Sequence, residues 1–550
     1  MCSIFPRSDW LENRLPLMDI AGIDLSATPP SVRIPERFNA AHDLIERNLR
    51  AGRARKLAFI DDAGACSYGE LAVRAARFAA GLIRLGIEPR DRVLLCLKDG
   101  IDFPISFLGS ILAGIIPVPL NTLLAASDYA YILADSEAVA LVVTEQLWPQ
   151  LASIASGARS LRHVVISGEG PRRRGIHAFS ELQADSPQTL VPADTQRDDS
   201  AFWLYSSGST GAPKGTVHVH SSPIQAAALY AQGTLGLRES DVVLSAAKLF
   251  FAYGLGNALT FPLAIGATAV LMAERPTPSS IAARLRSHRP TIFSGVPTLF
   301  ASLLASGALP ARDELSLRLC NSAGEALPEE LARRWRERTG VEILDGIGST
   351  EMLHIFISNR PGRIRHGTLG RPVAGYEAKI VDDSGAPVAD GEVGDLLVRG
   401  PTSARYYWNQ PQRTRATFLM PWIRTGDRFR VDEEGHYVFA GRGDDMLKVG
   451  GIYVSPIEVE SALVAHPAVH EAAVVGREDP DRLIKPQAFV VLAPGYTACA
   501  ALAAELQSFI KSRLAPYKYP RWIEFLDDLP KTATGKIQRY KLRERCKPAP

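Results

Sequence analysis

Short apolar runs alternate with amphipathic helical segments over most of this chain, and no other feature constrains its fold as strongly. The run at 93–97 follows a helical stretch at 68–85, and further apolar runs follow at 140–144 and 163–167. Strands that alternate with helices in this way build βαβ units, in which the strands pair in parallel. The sequence therefore predicts an α/β fold with mostly parallel pairing.

The composition narrows the class of protein. The 550 residues carry a net charge of only +3, and 46% of them are hydrophobic. A protein built to hold nucleic acid or an anionic membrane usually has a clear basic excess, so neither partner is expected. The six cysteines form no Cys-x-x-Cys pattern, which argues against a disulfide framework or a zinc ribbon.

Two stretches of 25 residues, 103–127 and 249–273, carry no charge and are long enough to cross a membrane. Proline, glycine and asparagine interrupt both stretches, so we expect short buried elements and no membrane span. The N-terminus shows no basic segment followed by an apolar one. The absence of a signal peptide predicts a cytoplasmic location.

A change of composition near residue 441 indicates a domain boundary. Beyond it, a glycine- and aspartate-rich turn leads into a small pattern of helices and strands. We therefore predict an N-terminal domain at 1–441 and a C-terminal domain at 442–550. The smaller domain is expected to be mobile, because a small lobe on a large body commonly closes a site.

The segment 205–215, Tyr-Ser-Ser-Gly-Ser-Thr-Gly-Ala-Pro-Lys-Gly, holds five hydroxyl side chains, three glycines and Lys214. Glycines let backbone N–H groups turn toward an anion, and the hydroxyls and the lysine add donors and positive charge. We interpret the segment as a cradle for a polyphosphate, with a flexible serine-glycine loop as the alternative. It is neither a Walker A loop nor a Rossmann fingerprint, because the required spacings are not met.

Three further segments carry side chains that suit a nucleotide. Thr350 and Glu351 follow a glycine-rich turn, where a hydroxyl suits a phosphate oxygen and a carboxylate suits a divalent cation. Asp427 could accept from sugar hydroxyls, and Arg442 offers a planar set of donors. The segment 530–536 resembles a loop that carries one functional amine. Each segment has an ordinary alternative. The first could be a helix cap, the second a solvated turn, and the segment 530–536 a solvated basic tail.

His218 and His220 alternate along a predicted strand, so their side chains share one face. Such a pair could begin a metal site. No third ligand is evident beside them, so we interpret them as a structural pair.

In this order and spacing, the segments resemble the adenylate-forming superfamily of acyl- and aryl-CoA synthetases, luciferases and peptide-synthetase adenylation domains. The resemblance runs from about residue 60 to about residue 540. It implies a large N-terminal body of two mixed or parallel sheets with helices and a small barrel, followed by a small mobile α+β C-terminal domain. It also implies ATP, Mg²⁺ and coenzyme A.

The resemblance gives each motif residue a role. The implied catalytic positions are Thr350 at the α-phosphate, Glu351 as the magnesium ligand, Lys214 at the phosphates and Lys536 at the reacting carboxylate, with Asp444 as the hinge. The implied nucleotide-binding and coenzyme-binding positions are Ser207, Ser209, Thr210 and Gly211 in the phosphate loop, Gly324, Glu325, Ala326, Asp345, Gly346 and Ile347 in the adenine wall, Asp427 and Arg442 at the ribose, and Gly450 and Gly451 beside coenzyme A. Most relatives place an aromatic residue at position 347, so Ile347 departs from the pattern.

More narrowly, the segments 248–257 and 346–356 resemble benzoate-CoA ligases and their hydroxy- and aminobenzoate relatives. The positions that line the aryl pocket of that group are Ala252, Tyr253, Gly348, His354 and Ile355. The implied reaction joins an aromatic carboxylate to AMP with loss of pyrophosphate, and then transfers the acyl group to coenzyme A. An aromatic carboxylic acid is therefore the expected partner, and a homodimer is left open.

Several alternatives stay open. An aryl-adenylating enzyme that loads a carrier protein would share every adenylation residue, although no carrier domain follows Lys536, which favours a free-standing ligase. A ligase for another small carboxylic acid would differ only in its pocket. A P-loop ATPase or kinase would need a Walker motif, which is lacking. A nucleotide sensor without activity would bind ATP but show no acid-dependent pyrophosphate exchange.

Overall fold

The computed structural model describes residues 18–170, 174–184, 186–206, 212–443, 445–449, 452–480, 483–531 and 537–546. Within these ranges the strands are β1 (Gly22–Asp24), β2 (Ser31–Arg33), β3 (Leu57–Asp61), β4 (Gly64–Ser67), β5 (Arg92–Cys96), β6 (Ile116–Pro119), β7 (Ala140–Thr144), β8 (His163–Ser167), β9 (Ile176–Ala178), β10 (Ser200–Ser206), β11 (Lys214–Val219), β12 (Val242–Ser245), β13 (Thr268–Val270), β14 (Ile292–Gly295), β15 (Leu319–Ser322), β16 (Ile343–Gly348), β17 (Ile355–Ser358), β18 (Arg371–Pro372), β19 (Glu377–Val381), β20 (Gly394–Arg399), β21 (Phe418–Leu419), β22 (Trp422–Val431), β23 (Tyr437–Arg442), β24 (Leu447–Val449), β25 (Ile452–Val454), β26 (Val469–Glu478), β27 (Ile484–Leu492) and β28 (Trp522–Phe525).

The helices of the same ranges are α1 (Ala40–Arg50), α2 (Tyr68–Arg84), α3 (Asp102–Leu112), α4 (Ala126–Ser136), α5 (Trp148–Gly157), α6 (Phe179–Gln183), α7 (Ser222–Ala226), α8 (Ala252–Leu255), α9 (Phe261–Ile265), α10 (Pro278–Ser287), α11 (Pro297–Ser306), α12 (Glu329–Thr339), α13 (Pro411–Thr417), α14 (Pro456–Val464), α15 (Ala500–Arg513) and α16 (Arg539–Arg545). Short 3₁₀ turns lie at Glu145–Leu147, Arg312–Glu314, Thr350–Met352 and Pro516–Lys518. Two π-helical turns lie at Ala227–Gln232 and Gly256–Thr260.

Two large sheets form the N-terminal body, as predicted. The nine-stranded sheet has the order β18-β17-β16-β15-β14-β12-β13-β3-β4 and is parallel from β16 to β3, with antiparallel strands at both ends. The five-stranded sheet has the order β6-β5-β7-β8-β9 and is parallel throughout. The predicted parallel pairing is confirmed, and both sheets direct the carboxyl ends of several neighbouring strands to one edge, where α/β proteins place ligands.

Local signals fix the ends of the helices that separate these strands. Helix α2 begins at a capping box, in which the Ser67 side chain accepts from the Glu70 N–H and the Glu70 carboxylate accepts from the Ser67 N–H. Helix α12 ends at Gly340, whose φ of +77° closes the helix in the left-handed conformation that glycine adopts most easily.

A third sheet is antiparallel and is the counterpart of the predicted small barrel. Its strands run in the order β19-β20-β22-β21, and β23 pairs with β22. A separate hairpin of β10 and β11 carries the two ends of the phosphate-loop segment.

The C-terminal part has its own α+β arrangement. Strands β26 and β27 pair antiparallel, β28 joins β27 in parallel, and the hairpin of β24 and β25 lies nearby in the chain. Residues of α14 and α15, including Leu463 and Leu506, pack with Val474 and Val490 of the sheet in a hydrophobic core of this region. The small α+β pattern expected after residue 442 is therefore present.

The two charge-free stretches fold as short elements, as expected. The first contributes most of α3, all of β6 and the start of α4, and the second contributes α8, a π-helical turn, α9 and β13. Among the described helices, none combines the length and the apolar character that crossing a bilayer requires.

Candidate active site

A lysine, a tyrosine and a glutamate form a hydrogen-bonded cluster at the edge of the N-terminal body. Lys214 is the first residue of β11, and its Nζ lies 3.1 Å from Glu351 Oε1 and 2.8 Å from the Tyr407 hydroxyl. The Tyr407 hydroxyl donates to the same Glu351 oxygen, and the ammonium lies 4.4 Å from the centre of the Tyr407 ring. The fold thus brings two of the predicted catalytic residues together and adds a third polar group.

This cluster keeps the glutamate charged. Burial opposes ionisation of Glu351, but the Lys214 ammonium and the Tyr407 hydroxyl favour the carboxylate, and its pKa is lowered overall. An ionised carboxylate supplies the oxygen ligands that Mg²⁺ prefers, so the residue present fits the predicted cation.

The turn that carries Thr350 and Glu351 is held by several backbone contacts. The Ala404 N–H donates to the Glu351 carbonyl at 2.8 Å, and Ser349 Oγ accepts from the Met352 N–H at 3.3 Å. His218 Nε2 donates to the Thr350 carbonyl at 2.8 Å. The turn is therefore held by Ser349, which directly precedes it, and by Ala404 and His218 from two other segments.

His218 of β11 and His220, which follows the end of this strand, bind backbone groups on different elements. Burial lowers the pKa of both His218 and His220 to about 4, so both rings are neutral at pH 7. While His218 contacts the Thr350 carbonyl, His220 Nδ1 accepts from the Ala40 N–H at 3.1 Å. These contacts give the pair structural roles, as interpreted from the sequence.

Several predicted residues lie outside the described residues. These are Ser207, Ser209, Thr210, Gly211, Asp444, Gly450, Gly451 and Lys536. The strands on either side of the phosphate-loop segment are described, and Lys214 begins the second of them. The roles of these residues stay predictions.

The predicted adenine wall lies at the carboxyl ends of β15 and β16. These strands pair in parallel, with Ser322 opposite Asp345. Asp345 Oδ2 accepts from the Leu327 N–H at 3.0 Å, whereas its buried Oδ1 has no hydrogen-bond partner within the described part of the chain. Burial raises the pKa of Asp345 to about 8, so the group is mostly neutral at pH 7.

The remaining wall residues lie close by in the chain. Gly324 has a φ of +96°, which favours glycine, and Ala326 follows in the same turn. Gly346 and Ile347 continue β16, where they pair with strand β17. Glu325 Oε1 accepts from the Ile537 N–H at 3.3 Å, so the residue directly after Lys536 contacts this wall.

The predicted ribose residues face each other across two strands. Asp427 of β22 and Arg442 of β23 are register partners, and Arg442 Nη1 donates to Asp427 Oδ1 at 2.9 Å. Asp427 is buried, while the Arg442 side chain is half exposed. The arrangement offers a carboxylate and a guanidinium side by side at the sheet surface.

The predicted aryl-pocket residues are also brought together, around His354. Its ring centre lies 5.5 Å from that of Tyr253, and its Nε2 donates to the Tyr253 carbonyl at 3.3 Å. Gly348 is the register partner of Ile355, and a Cβ on Gly348 would lie 2.4 Å from the His354 carbonyl oxygen. Ala252 begins α8 directly before Tyr253.

The wall around His354 is apolar and closed. Its ring centre lies 5.2 Å from that of Tyr230 and 4.5 Å from that of Phe261. Burial lowers the pKa of His354 to about 3, and Nδ1 has no hydrogen-bond partner among the described residues. The ring is therefore neutral and lies among buried aromatic side chains.

The backbone before His354 is strained. Leu353 is buried and has a φ of +64° and a ψ of −42°, a combination that non-glycine residues seldom adopt. The His354 N–H donates to the Met352 carbonyl at 2.7 Å and closes a tight turn around it. Such strain persists only where the surroundings impose it, and it often marks functional sites.

Sequence reasoning missed four residues of these two clusters. Tyr407, Tyr230, Phe261 and Gly256 all touch a predicted site residue, and a Cβ on Gly256 would lie 2.3 Å from His354 Cδ2. Tyr407 follows another tyrosine in a polar stretch, and that pairing alone gave no indication of a site. Tyr230 and Gly256 lie in the two π-helical turns, which frequently occur at functional sites.

Comparison with known proteins agrees with this architecture. The chain is 60% identical to the benzoate–CoA ligase of Thauera aromatica, over 94% of this chain and 98% of that protein. The crystal structure of a benzoate CoA ligase from Burkholderia xenovorans LB400 superposes with a TM-score of 0.87 at 53% identity, covering 92% of this chain and all of that one. The structure of an anthranilate CoA ligase in complex with anthranoyl-AMP superposes with a TM-score of 0.89 at 44% identity, covering 94% of this chain and 98% of that one.

Two family models cover most of the chain. Residues 45–408 match the model described as AMP-binding enzyme, and residues 458–536 match the model of the C-terminal domain of the same enzymes. The first match alone spans more than half of the chain. The protein therefore belongs to the family of AMP-binding enzymes, with a large N-terminal body and a smaller C-terminal domain.

Proposed function

We propose that this protein is an AMP-forming ligase that joins benzoate, or a hydroxy- or aminobenzoate, to coenzyme A. The observation that carries the proposal is the closed aromatic wall around His354 in a chain that is 60% identical to a benzoate–CoA ligase. A flat ring fits between aromatic side chains, whereas a long flexible acyl chain would need a deeper, open channel. ATP and coenzyme A are the co-substrates of this reaction.

In the first half-reaction, a benzoate oxygen attacks the α-phosphorus of ATP and pyrophosphate leaves. Lys214, which lies beside Glu351, would offset negative charge on the phosphates, and Lys536 would place its ammonium between the carboxylate and the α-phosphate. The ionised Glu351 would hold Mg²⁺, which when bound neutralises further phosphate charge. Thr350, beside it in the same turn, would contact the α-phosphate.

In the second half-reaction, the coenzyme A thiol attacks the acyl carbon and AMP leaves. We infer that the domain boundary lies at about residue 441 and that the C-terminal domain rotates about Asp444 between the two steps. Gly450 and Gly451 would then lie beside the coenzyme arm, where the lack of side chains leaves room. Asp427 and Arg442 would hold the ribose, and Asp345 with its neighbours would bound the adenine.

We infer a cytoplasmic location from the sequence, which leaves a homodimer open. Fractionation of the source cells tests the first, and the mass of the purified protein in solution tests the second.

The decisive experiment is acid-dependent exchange of pyrophosphate into ATP over a panel of benzoate, 4-hydroxybenzoate, 2-aminobenzoate and fatty acids. We expect the fastest exchange with a benzoate. A fatty acid that supports faster exchange than every benzoate would contradict the proposed acid. Transfer of the acyl group to coenzyme A or to a carrier protein then separates the ligase from a carrier-loading enzyme.

A further inference from the structure

A buried aspartate in the loop after strand β5 of the five-stranded sheet holds the segment that leads to Ala252 and Tyr253. Asp99 lies between β5 and α3 and is only 4% exposed. The Leu249 N–H donates to Asp99 Oδ1 at 3.2 Å and lies 3.3 Å from Oδ2, and Lys248 Nζ lies 4.0 Å from Oδ2. Leu249 follows β12 of the nine-stranded sheet, so this carboxylate joins the two sheets.

The loop that carries Asp99 is fixed on both sides. The Lys98 N–H donates to Thr144 Oγ1 at 2.9 Å, and Thr144 ends β7 of the five-stranded sheet. The Ile101 N–H donates to Asp61 Oδ2 at 2.9 Å, and Asp61 ends β3 of the nine-stranded sheet. The loop that carries Asp99 is therefore hydrogen-bonded to one strand of each sheet.

Lys248 is fixed as well and faces several charges. Its Nζ donates to the carbonyls of Met272 and Glu274. Burial lowers the pKa of Lys248 and raises the pKa of Asp99 to about 6, and the attraction between the two groups counters both effects. The other charged groups that act on Lys248 are Glu274, Arg284 and Asp62.

The segment from Leu249 to Tyr253 is tightly packed, so it has little room to adjust when Leu249 is displaced. The Phe251 N–H donates to the Lys248 carbonyl at 3.0 Å, and the Leu255 N–H donates to the Phe251 carbonyl at 2.8 Å. A Cβ on Gly254 would lie 2.1 Å from the Lys248 carbonyl oxygen and 2.5 Å from that of Ala247. The backbone at Gly254 therefore packs directly against the backbone of residues 247–248. A displacement of Leu249 must therefore reach Ala252 and Tyr253.

We propose that Asp99 is a positioning residue for the acid-binding segment. It fixes Leu249 and, through the closed turn that follows, the placement of Ala252 and Tyr253 against His354. Asp99 acts through these residues and does not itself touch the acid. The inference rests on the proposed function, because its effect is measured through the KM for the aromatic acid.

The test compares Asp99→Ala, Asp99→Asn and the control Asp102→Ala in the full-length enzyme. Asp102 is a carboxylate of the same region, but its partners are Arg74 and Ser167, away from residues 248–253. Displacing a binding group by about 1 Å can cost roughly a hundredfold, so Asp99→Ala should raise the KM for benzoate by about tenfold to a hundredfold. The KM for ATP should stay at its wild-type value.

The conservative variant separates positioning from general damage. Asparagine keeps an oxygen that accepts from Leu249 but loses the attraction to Lys248, so Asp99→Asn should have a benzoate KM below that of Asp99→Ala. Asp102→Ala should leave both KM values unchanged.

Two results would overturn the inference: an unchanged benzoate KM in Asp99→Ala, or equal increases in the KM for benzoate and for ATP. If Asp99→Ala does not fold, Asp99→Asn decides by the same two criteria. If the wild type exchanges with no benzoate, the proposed function fails instead, and the variants are then compared with the acid that does support exchange.

Discussion

An alanine at position 256 gives a direct test of the aryl pocket. Gly256 has a φ of −63° and a ψ of −63°, so an alanine there adds a methyl group without backbone strain. Its Cβ would lie 2.3 Å from Cδ2 and 2.6 Å from Nε2 of His354, and 3.0 Å from Phe261 Cζ. Since non-bonded carbon atoms pack at about 3.5–4.0 Å, the His354 ring must move by about 1 Å or more.

The neighbours of the His354 ring restrict where it can move. Tyr230 and Phe261 flank it, and its Nε2 is tied to the Tyr253 carbonyl. We therefore expect kcat/KM for benzoate to fall by roughly a hundredfold, the cost of a displacement of about 1 Å in a binding site. Overpacking should lower the free energy of unfolding by about 1–3 kcal/mol.

The assay is benzoate-dependent pyrophosphate exchange, with benzoate varied at saturating ATP and ATP varied at saturating benzoate. Gly157→Ala is the matched control, because Gly157 ends α5 and a Cβ there meets nothing within 4 Å. The KM for ATP should be the same in both variants. If the two variants have equal kcat/KM for benzoate, His354 does not bound the acid pocket and the reasoning is refuted.

Three further predictions concern single side chains. Tyr407→Phe removes the hydroxyl that is hydrogen-bonded to Lys214 and Glu351, and a hydrogen bond to a charged group contributes about 1.5–3 kcal/mol. We therefore expect kcat/KM in the exchange assay to fall by at least about tenfold. An unchanged kcat/KM would show that this hydroxyl does not support the two charged groups during the reaction. Lys536→Ala should slow adenylate formation by roughly 10²–10³-fold but leave thioester formation from pre-made benzoyl-AMP near the wild-type rate. The control Lys531→Ala should affect neither step. Equal loss of both steps in Lys536→Ala would contradict a role in adenylation alone. The folded-state pKa of Asp345 is raised to about 8, so between about pH 4 and about pH 8 the folded protein keeps a proton that the unfolded chain releases, and the stability of the wild type falls as the pH rises. Chemical unfolding should therefore show that the stability of Asp345→Asn, relative to the wild type, rises over this range. A difference that stays constant with pH would contradict the raised pKa.

The sequence predicted the regular elements because each has a local signal. Strands β7 and β8 were expected from the short β-branched runs at 140–144 and 163–167, and both form at these bounds. Among the described motif residues, the structure places Lys214 beside Glu351 and Asp427 beside Arg442. Strands β22 and β23 hold the second pair opposite each other, whereas Lys214 begins β11 and Glu351 lies in the turn after β16. The catalytic and binding roles of these residues stay predictions.

The residues that sequence reasoning missed depend on contacts between distant segments. Tyr407 lies 193 residues from Lys214 in the chain, and only the tertiary fold brings the two side chains together. The π-helical turn at Ala227–Gln232 has the apolar composition of an ordinary helix, so periodicity predicts no change in its hydrogen bonding. Tyr230 of this turn packs against His354, a contact between distant segments that no local pattern contains.

The two π-helical turns make the aryl pocket sensitive to the length of the chain as well as to its side chains. A π-helical turn holds about one residue more than an α-helical turn, and one residue of an α-helix corresponds to a rotation of about 100°. Deleting a single residue from Gly256–Thr260 would restore regular helix and turn Phe261 away from His354. We therefore expect a deletion of one residue to reshape this wall in a way that no exchange of one side chain reproduces.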